Sequence, residues 1–408
     1  MIAPSIRSQR TKNPIRALVG SINPPKDHPD PFLNLALGDP TAHGNMAPPT
    51  ILVEAVQDAL TAGNSNGYVP SIGAPAARAA VARFSSLEGF PVDEDDVIVA
   101  SGCSGSIDLV LSALLDEGDN ILVPMPNFPL YQVSLGAEVR MYPLIAEENW
   151  SCDLEQMDAL VDSRTKAILI NNPSNPCGSN FSAEHLRGIA AVARKHNIMI
   201  VADEIYSGLV FKGSFEPMHV HSGDVPVISL GGLAKEFVVP GWRVGWLVLH
   251  DKGTGRLAEL KTGIRSLTQI ILGATSLIQG AIPRLLCPPP GSADESSLLS
   301  FTKEIKNTLR ENVALVLKTL SENPVVEPIE PQGAMYVLLR INVHLLRDIK
   351  DDTVFARMLL TEENLFILPG QCFSIENFVR LVICCPPEMV VQACQRINDF
   401  CRRHAQAL

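Results

Sequence analysis

The sequence has no surplus of positive charge and no apolar stretch suited to crossing a membrane. Its 33 Lys and Arg residues stand against 44 Asp and Glu, which gives a formal net charge of −11 at pH 7. Such a protein is not attracted as a whole to nucleic acid or anionic lipid, and we expect neither as a partner. Residues 266–283 carry no charge over 18 positions, but Thr268, Gln269 and Gln279 interrupt them. We therefore predict a buried helix there.

The sequence also lacks the even, regularly spaced cysteines of a secreted disulfide scaffold. Its nine cysteines lie mostly inside apolar runs, so we expect reduced thiols and a cytoplasmic protein. The first 26 residues hold five basic residues and no acidic one, which only weakly resembles a mitochondrial presequence. Cys384 and Cys385 point to opposite faces of a predicted strand, and His219 and His221 lack a third ligand. We expect no metal site, and we place both histidines in a surface loop.

The residues that are present predict a large α/β protein. A chain of 408 residues, 46% hydrophobic and 19% charged, can form two or three compact lobes. Between about residues 50 and 250, short β-branched runs alternate with helical stretches, which favours a mostly parallel, seven-stranded sheet covered by helices. The predicted strands are 97–100, 121–123, 139–143, 167–170, 198–202, 227–230 and 244–249.

A change of pattern after the three prolines at 288–290 indicates a second lobe. A long helix, two strands and two further helices follow, which is typical of a smaller α+β unit. We predict an N-terminal arm with part of the small domain over 1–48, a large domain over 49–288 and the small domain over 289–408.

Lys235 lies just beyond an apolar strand, with Arg243 eight residues further on. A desolvated ammonium near another cation loses proton affinity and becomes a nucleophile able to form an imine with a carbonyl cofactor. Taken alone, Lys235 is better explained as a solvated loop lysine. Asp203 ends an apolar strand at the edge where ligands of α/β sheets bind. Its carboxylate could keep a heterocyclic nitrogen protonated, with Tyr206 near a phenolate oxygen, or it could simply cap a helix.

Two further segments have both a binding and a structural explanation. Residues 101–105 follow a strand and open a predicted helix over 106–115, an arrangement that offers backbone N–H groups to a phosphate. Small residues are also common at such turns. Phe128 and Tyr131 could stack on a planar ring or belong to the core.

Together these residues lie in motifs that resemble the pyridoxal-phosphate-dependent aminotransferases of the aspartate aminotransferase fold (fold type I), and most closely the tyrosine aminotransferases. Any one of the motifs is a modest hint, but ten in family order are specific. The matching stretches are 13–17, 38–41, 66–73, 101–104, 172–178, 202–206, 232–235, 240–243, 333–336 and 378–380.

The resemblance implies that Lys235 holds pyridoxal 5'-phosphate as an internal Schiff base and then moves a proton between substrate and cofactor. It implies that Asp203 keeps the pyridine nitrogen protonated, so that the ring is an electron sink. Tyr206 and Asn175 would hydrogen-bond the ring oxygen O3′, and Phe128 would lie against the ring face.

The same resemblance assigns the phosphate to Arg243, to the backbone amides of Gly102, Cys103 and Ser104, and to Tyr68 of a neighbouring subunit. A homodimer with shared active sites is therefore implied. Many relatives carry Ser at the positions of Gly232 and Ala234, so hydroxyl contacts from this loop are in doubt. Ser229 could replace them if the loop bends back.

Arg380 would form a two-point salt bridge with the substrate α-carboxylate, beside Asn175, because a planar guanidinium matches a carboxylate. Gly38 would let the entry segment close over the substrate. Arg16 and Arg265 are candidates, by location only, for a second substrate carboxylate.

The implied activity is transamination of tyrosine and phenylalanine with a 2-oxo acid acceptor such as 2-oxoglutarate or pyruvate. The alternative is a pyridoxal-phosphate C–S lyase of the same fold, since β-elimination uses the same lysine, aspartate and arginine. A cofactor-sensing regulator is disfavoured because only about a dozen residues precede the first motif, too few for a DNA-binding domain.

Overall fold

The computed structural model describes residues 2–131 and 136–406. The strands are β1 (Leu33–Asn34), β2 (Val97–Ala100), β3 (Asn120–Met125), β4 (Glu138–Ile145), β5 (Ser151–Cys152), β6 (Thr165–Asn171), β7 (Met199–Asp203), β8 (Val227–Gly232), β9 (Gly245–His250), β10 (Val326–Ile329), β11 (Tyr336–Ile341), β12 (Leu365–Phe366), β13 (Leu368–Pro369) and β14 (Phe378–Val382). The helices are α1 (Ile6–Arg10), α2 (Pro14–Ser21), α3 (Thr50–Ala62), α4 (Pro75–Ser85), α5 (Gly102–Leu114), α6 (Leu154–Ala159), α7 (Ala183–Lys195), α8 (Met218–His221), α9 (Ala258–Ile271), α10 (Ser276–Leu286), α11 (Ala293–Leu320), α12 (Asp352–Glu363) and α13 (Pro387–His404).

The large sheet confirms the predicted α/β class and contains all seven predicted strands. Its order is β2-β9-β8-β7-β6-β3-β4-β5, and the pairs from β8 to β4 are parallel. β9 runs antiparallel to both of its neighbours. The eighth strand, β5, was not predicted, because two residues at a sheet edge show no periodicity.

Helices cover both faces of this sheet. Strands β6 and β7 are buried along almost their whole length, which explains their continuous apolar sequence. One face packs against α5 and α9, and the other against α6 to α8 over its centre and α3, α4 and α10 over β2 and β9. The second face therefore has two separate apolar clusters, with β8 between them.

The smaller sheet lies in the C-terminal part of the chain and has the antiparallel order β10-β11-β14-β13. β1, from the N-terminal arm, pairs in parallel with β12, with Leu33 opposite Leu365. The N-terminal arm is thus joined to the C-terminal part. The domain boundaries given above stay predictions.

The prediction of one buried helix over 266–283 was wrong. The segment is divided between α9 and α10, because Leu272 has a positive φ of 64° and Gly273 one of 78°. Ile270 and Ile271 are both 75% exposed at the end of α9. None of the helices in the described residues combines the length and apolar character that a bilayer crossing needs.

The surface-loop prediction for His219 was also wrong. His219 lies in α8 and is only 4% exposed. Its ring stacks on the ring of His250, with centroids 4.0 Å apart and planes 2° from parallel. His219 is therefore a buried side chain on the sheet, while His221 at the end of α8 contacts Glu216.

Candidate active site

A cavity of about 580 Å³ opens at the carboxyl ends of the parallel strands, between the large sheet and the small one. The register places Asn171, at the end of β6, opposite Asp203, at the end of β7. The cavity brings together ten of the predicted site residues. They are Gly38, Cys103, Ser104, Phe128, Asn175, Asp203, Tyr206, Lys235, Arg243 and Arg380.

Asp203 is a buried carboxylate held by three donors. Tyr131 donates its hydroxyl to Oδ2 at 2.6 Å, the backbone N–H of Ile205 donates to Oδ1 at 3.2 Å, and Cys103 Sγ lies 3.5 Å from Oδ1. Burial raises the pKa of Asp203, and these hydrogen bonds act in the opposite direction. A positive group on the open side of the cavity would therefore find an oriented, poorly solvated acid.

The first turn of α5 forms the second part of the site. The helix begins at Gly102, four residues earlier than predicted, so the N–H groups of Gly102, Cys103 and Ser104 belong to its unpaired N-terminal turn. Gly102 has φ 74°, and a Cβ there would come within 2.5 Å of Arg243 Nη2. Only glycine lets the guanidinium lie against the start of the helix. Backbone donors and a cation thus converge, as an anion site requires.

Lys235 follows β8 and is only partly buried. Its Nζ donates to the backbone carbonyl of Gly38 at 2.5 Å. A Cβ at Gly38 would overlap the hydroxyl of Tyr336, so the entry segment approaches this closely only because residue 38 has no side chain. The amine and the entry segment are therefore in direct contact across the cavity.

Arg380, on β14, is 2% exposed. Its Nη1 donates to Asn175 Oδ1 at 2.8 Å and its Nη2 to the carbonyl of Ala36 at 2.6 Å. The guanidinium also stacks over the ring of Tyr336, 4.2 Å from its centroid. Nε has no partner among the described residues. Burial lowers the pKa of Arg380 from its usual value, yet an arginine stays charged.

Tyr206 faces the same side of the cavity. Its hydroxyl lies 2.8 Å from that of Tyr336, and burial raises the pKa of Tyr206 well above its ordinary value while Arg380 opposes the shift. Tyr336 was quoted above only as part of a motif. The structure shows it touching three predicted site residues: Gly38, Tyr206 and Arg380.

The remaining predicted residues have different surroundings. Tyr68 does not line the cavity of its own chain and is 94% exposed. Arg16 lines the cavity, whereas Arg265 contacts Asp95 elsewhere. Tyr131 was considered only as a ring for stacking, and its bond to Asp203 was missed. A signal existed, since a tyrosine buried after a strand needs a partner for its hydroxyl.

Comparison with known proteins identifies the family. The model for aminotransferase class I and II matches residues 30–397. The chain belongs to the class I and II aminotransferases. It is 42% identical to tyrosine aminotransferase of Bos taurus over 407 residues, which is 99% of this chain and 89% of the relative.

Two solved aminotransferase structures show the same fold. Tyrosine aminotransferase of Leishmania infantum has 38% identity and a TM-score of 0.92, covering 100% of this chain and 99% of that one. Alanine aminotransferase of Pyrococcus furiosus has 28% identity and a TM-score of 0.89, covering 98% and 100%. Family members that are named for different substrates therefore share this fold.

For this aminotransferase, Ser229 does not replace the missing loop hydroxyls. Its Oγ lies 2.9 Å from His250 Nε2, within the sheet. The loop does not bend back as considered above, so Arg243 and the start of α5 remain the groups that an anion would meet.

Proposed function

We propose that this protein transaminates tyrosine and phenylalanine, with a 2-oxo acid as amino acceptor and pyridoxal 5'-phosphate held at Lys235. The observation that carries the proposal is one cavity that unites Lys235, the buried Asp203 and the buried Arg380. The family supports the reaction class, and the relatives named for tyrosine support the substrate. They also disfavour the lyase alternative.

The donor set of the cavity fits the cofactor. The N–H groups at the start of α5, next to Arg243, suit a phosphate, and the side chain missing at Gly102 leaves room for the guanidinium. Asp203 lies deeper, fixed by Tyr131, where it suits a protonated ring nitrogen. Phe128, edge-on to Tyr131 with ring centroids 6.0 Å apart, would lie against the ring face.

When bound, pyridoxal phosphate supplies the electron sink that makes the α-proton of an amino acid acidic. Lys235 would take and return that proton at Nζ, after Nζ has left the carbonyl of Gly38. Asp203 would hold a proton on the ring nitrogen, and Tyr206 and Asn175 would donate to the ring oxygen. Burial of these groups keeps water from competing with them.

Arg380 would bind the α-carboxylate of donor and acceptor alike. Its stacking on Tyr336 and its bond to Asn175 hold the guanidinium plane in one orientation, as two-point recognition needs. The exposed Arg16 at the wall of the cavity would meet the second carboxylate of a dicarboxylic acceptor such as 2-oxoglutarate.

We further propose a homodimer that shares its active sites. Tyr68 is almost fully exposed and lies outside its own cavity, as expected of a residue that serves the other subunit. Ile270, Ile271 and Leu272 form an apolar edge, exposed by 75, 75 and 43%, which association would cover.

A cytoplasmic location is supported by eight of nine thiols lying buried in the core, where they are packed instead of paired.

A panel of amino donors against three 2-oxo acids tests the substrate proposal. We expect tyrosine and phenylalanine among the best donors, with product formed only when an acceptor is present. Turnover of alanine or aspartate alone would refute the substrate. Release of pyruvate and ammonia from a cysteine conjugate, without any 2-oxo acid, would instead establish the lyase.

A further inference from the structure

A second cavity, of about 280 Å³, lies on the face of the large sheet that carries α3, α4, α6 to α8 and α10, between the two apolar clusters described above. We name it the rear cavity. Strand β8 contributes Ser229, Leu230, Gly231 and Gly232 to its lining, and neither Ser229 nor Gly231 has a large side chain to fill the space. Its volume is at the small end of ligand pockets, which span about 300–1,000 Å³. Its ionisable and aromatic walls include Glu204, Glu236, His219, Phe84, Phe215 and Trp246.

Two carboxyl groups face this space. Glu204 is 9% exposed, and one of its oxygens accepts from the N–H of Met218 at 2.8 Å. The Glu236 carboxyl lies directly over Gly208, where a Cβ would overlap it. Glu236 makes no side-chain hydrogen bond within the described part of the chain. Its position thus comes from packing, and its oxygens are free to accept.

His219 is a second, independent polar feature of the rear cavity. It is 96% buried, lines the rear cavity, and has no hydrogen-bond partner for either ring nitrogen among the described residues. A buried imidazole nitrogen without a hydrogen-bond partner is destabilising, so native structures rarely leave one unpaired. Burial, with Lys252 and His221 nearby, lowers the pKa of His219 to about 4. The ring is therefore neutral near pH 7, and one of its nitrogens can accept a hydrogen bond.

The walls select for the charge of an occupant. Among the described residues, no Lys or Arg lines the rear cavity, so the carboxylate of an amino acid or a 2-oxo acid would be buried without a partner. The two carboxyls and the neutral imidazole all accept hydrogen bonds. The ring of Trp246 can add a cation–π contact. A metal is disfavoured because the described residues contain no group of three or more side chains placed to ligate one.

We propose that the rear cavity binds a small organic ammonium ion that carries no carboxylate, at a site separate from the reacting amino acid. The carboxylates of Glu204 and Glu236 neutralise the charge, His219 accepts one N–H, and the aromatic walls enclose the apolar part. The two glutamates directly follow Asp203 and Lys235 in the chain, so the site lies immediately behind the catalytic cavity.

Protonation gives the proposal a pH signature. Burial raises the pKa of Glu204 to about 8 and that of Glu236 to about 7, so at pH 7 Glu204 is mostly protonated and Glu236 is about half protonated. An entering cation favours the charged carboxylates and displaces those protons, so its affinity rises from pH 6 to pH 8. The other charged or titratable groups near these side chains are Asp203, Lys306, Lys252, His221 and His250.

The test is calorimetric titration of the full-length protein, loaded with pyridoxal phosphate, with N,N-dimethylbenzylammonium. This tertiary amine cannot condense with the cofactor carbonyl. We expect saturable binding that tightens from pH 6 to pH 8. Tyrosine should not displace the probe, and phenylacetate, its anionic counterpart, should not bind. Absence of saturable heat, or displacement by tyrosine, would overturn the proposal.

Two variants make the test specific. Glu236→Gln should weaken binding about tenfold or more, because the bound cation loses a charged partner, and should reduce the pH dependence to the part contributed by Glu204. Glu330→Gln removes the same charge from an exposed pair with Lys212 and should leave the affinity unchanged. Equal affinities in Glu236→Gln and the unchanged protein would show that the probe binds elsewhere.

Discussion

The hydrogen bond from Tyr131 to Asp203 offers the sharpest test of the site. In Tyr131→Phe, Asp203 keeps only the N–H of Ile205 at 3.2 Å and the weak thiol donor of Cys103 at 3.5 Å. A hydrogen bond to a charged group contributes about 1.5–3 kcal/mol. Since one pKa unit corresponds to about 1.4 kcal/mol, the pKa of Asp203 should rise by about one to two units further.

A less readily ionised Asp203 would hold a proton on the ring nitrogen of pyridoxal phosphate less firmly. If the whole loss appears in the transition state, kcat/KM falls about 10- to 150-fold. Steady-state kinetics with tyrosine and 2-oxoglutarate measure this effect. Affinity for pyridoxal phosphate, followed by quenching of protein fluorescence, should fall as well.

Stability against pH provides a second readout on the cofactor-free protein. An acid whose folded pKa lies above its unfolded value costs stability once the pH exceeds the unfolded value, and the cost grows until the folded value is passed. The additional destabilisation of Tyr131→Phe should therefore grow as pH rises from acid toward neutrality.

Tyr142→Phe is the matched control. Tyr142 is equally buried and donates at 2.8 Å to the carbonyl of Leu169. Burial raises the pKa of the neighbouring Cys152 thiol well above its ordinary value, so that thiol does not titrate between acid and neutral pH. Its loss should lower the melting temperature by an amount that does not vary with pH, with kcat/KM little changed. If both variants behaved alike, Tyr131 would be only a packing residue, and our account of Asp203 would be wrong.

Two further variants test the lysine and the arginine. Lys235→Ala should abolish turnover and retain non-covalent cofactor binding. Borohydride should give the unchanged protein, but not the variant, a covalent adduct at residue 235. An adduct at another lysine would contradict the assignment. Arg380→Lys should chiefly raise KM, because a point charge replaces a planar guanidinium that Asn175 holds in one orientation. Unchanged kinetics for every substrate would mean that another group binds the carboxylate.

Much of the site could be predicted because its residues follow strands. Asp203 and Asn171 come at the ends of buried apolar strands, and parallel pairing sets them side by side. The roles predicted for Lys235, Arg243 and Arg380 came from the resemblance of their motifs to the aminotransferase family, and the structure brings all three side chains to one cavity. Such motifs predict where a residue lies along the backbone, because local sequence largely determines the ends of strands and helices.

Contacts between distant segments could not be predicted in the same way. The ring of His219 is buried because α8 packs against the sheet and sets it on His250, and no local pattern encodes that pairing. The rear cavity likewise depends on Phe84, Ser229 and Glu236 meeting across three segments. The break after α9 was visible as a glycine, but the uncharged run around it concealed two separate helices.

The pairing of β1 with β12 has a consequence for synthesis on the ribosome. Leu33 must wait for Leu365 to be translated, and the carbonyl of Ala36 waits for Arg380, 344 residues later. At about 5–20 residues per second, this delay is tens of seconds. The opening segment of the polypeptide therefore remains undocked while the large sheet can already assemble, and the surroundings of Arg380 are completed only when the nascent chain is nearly finished.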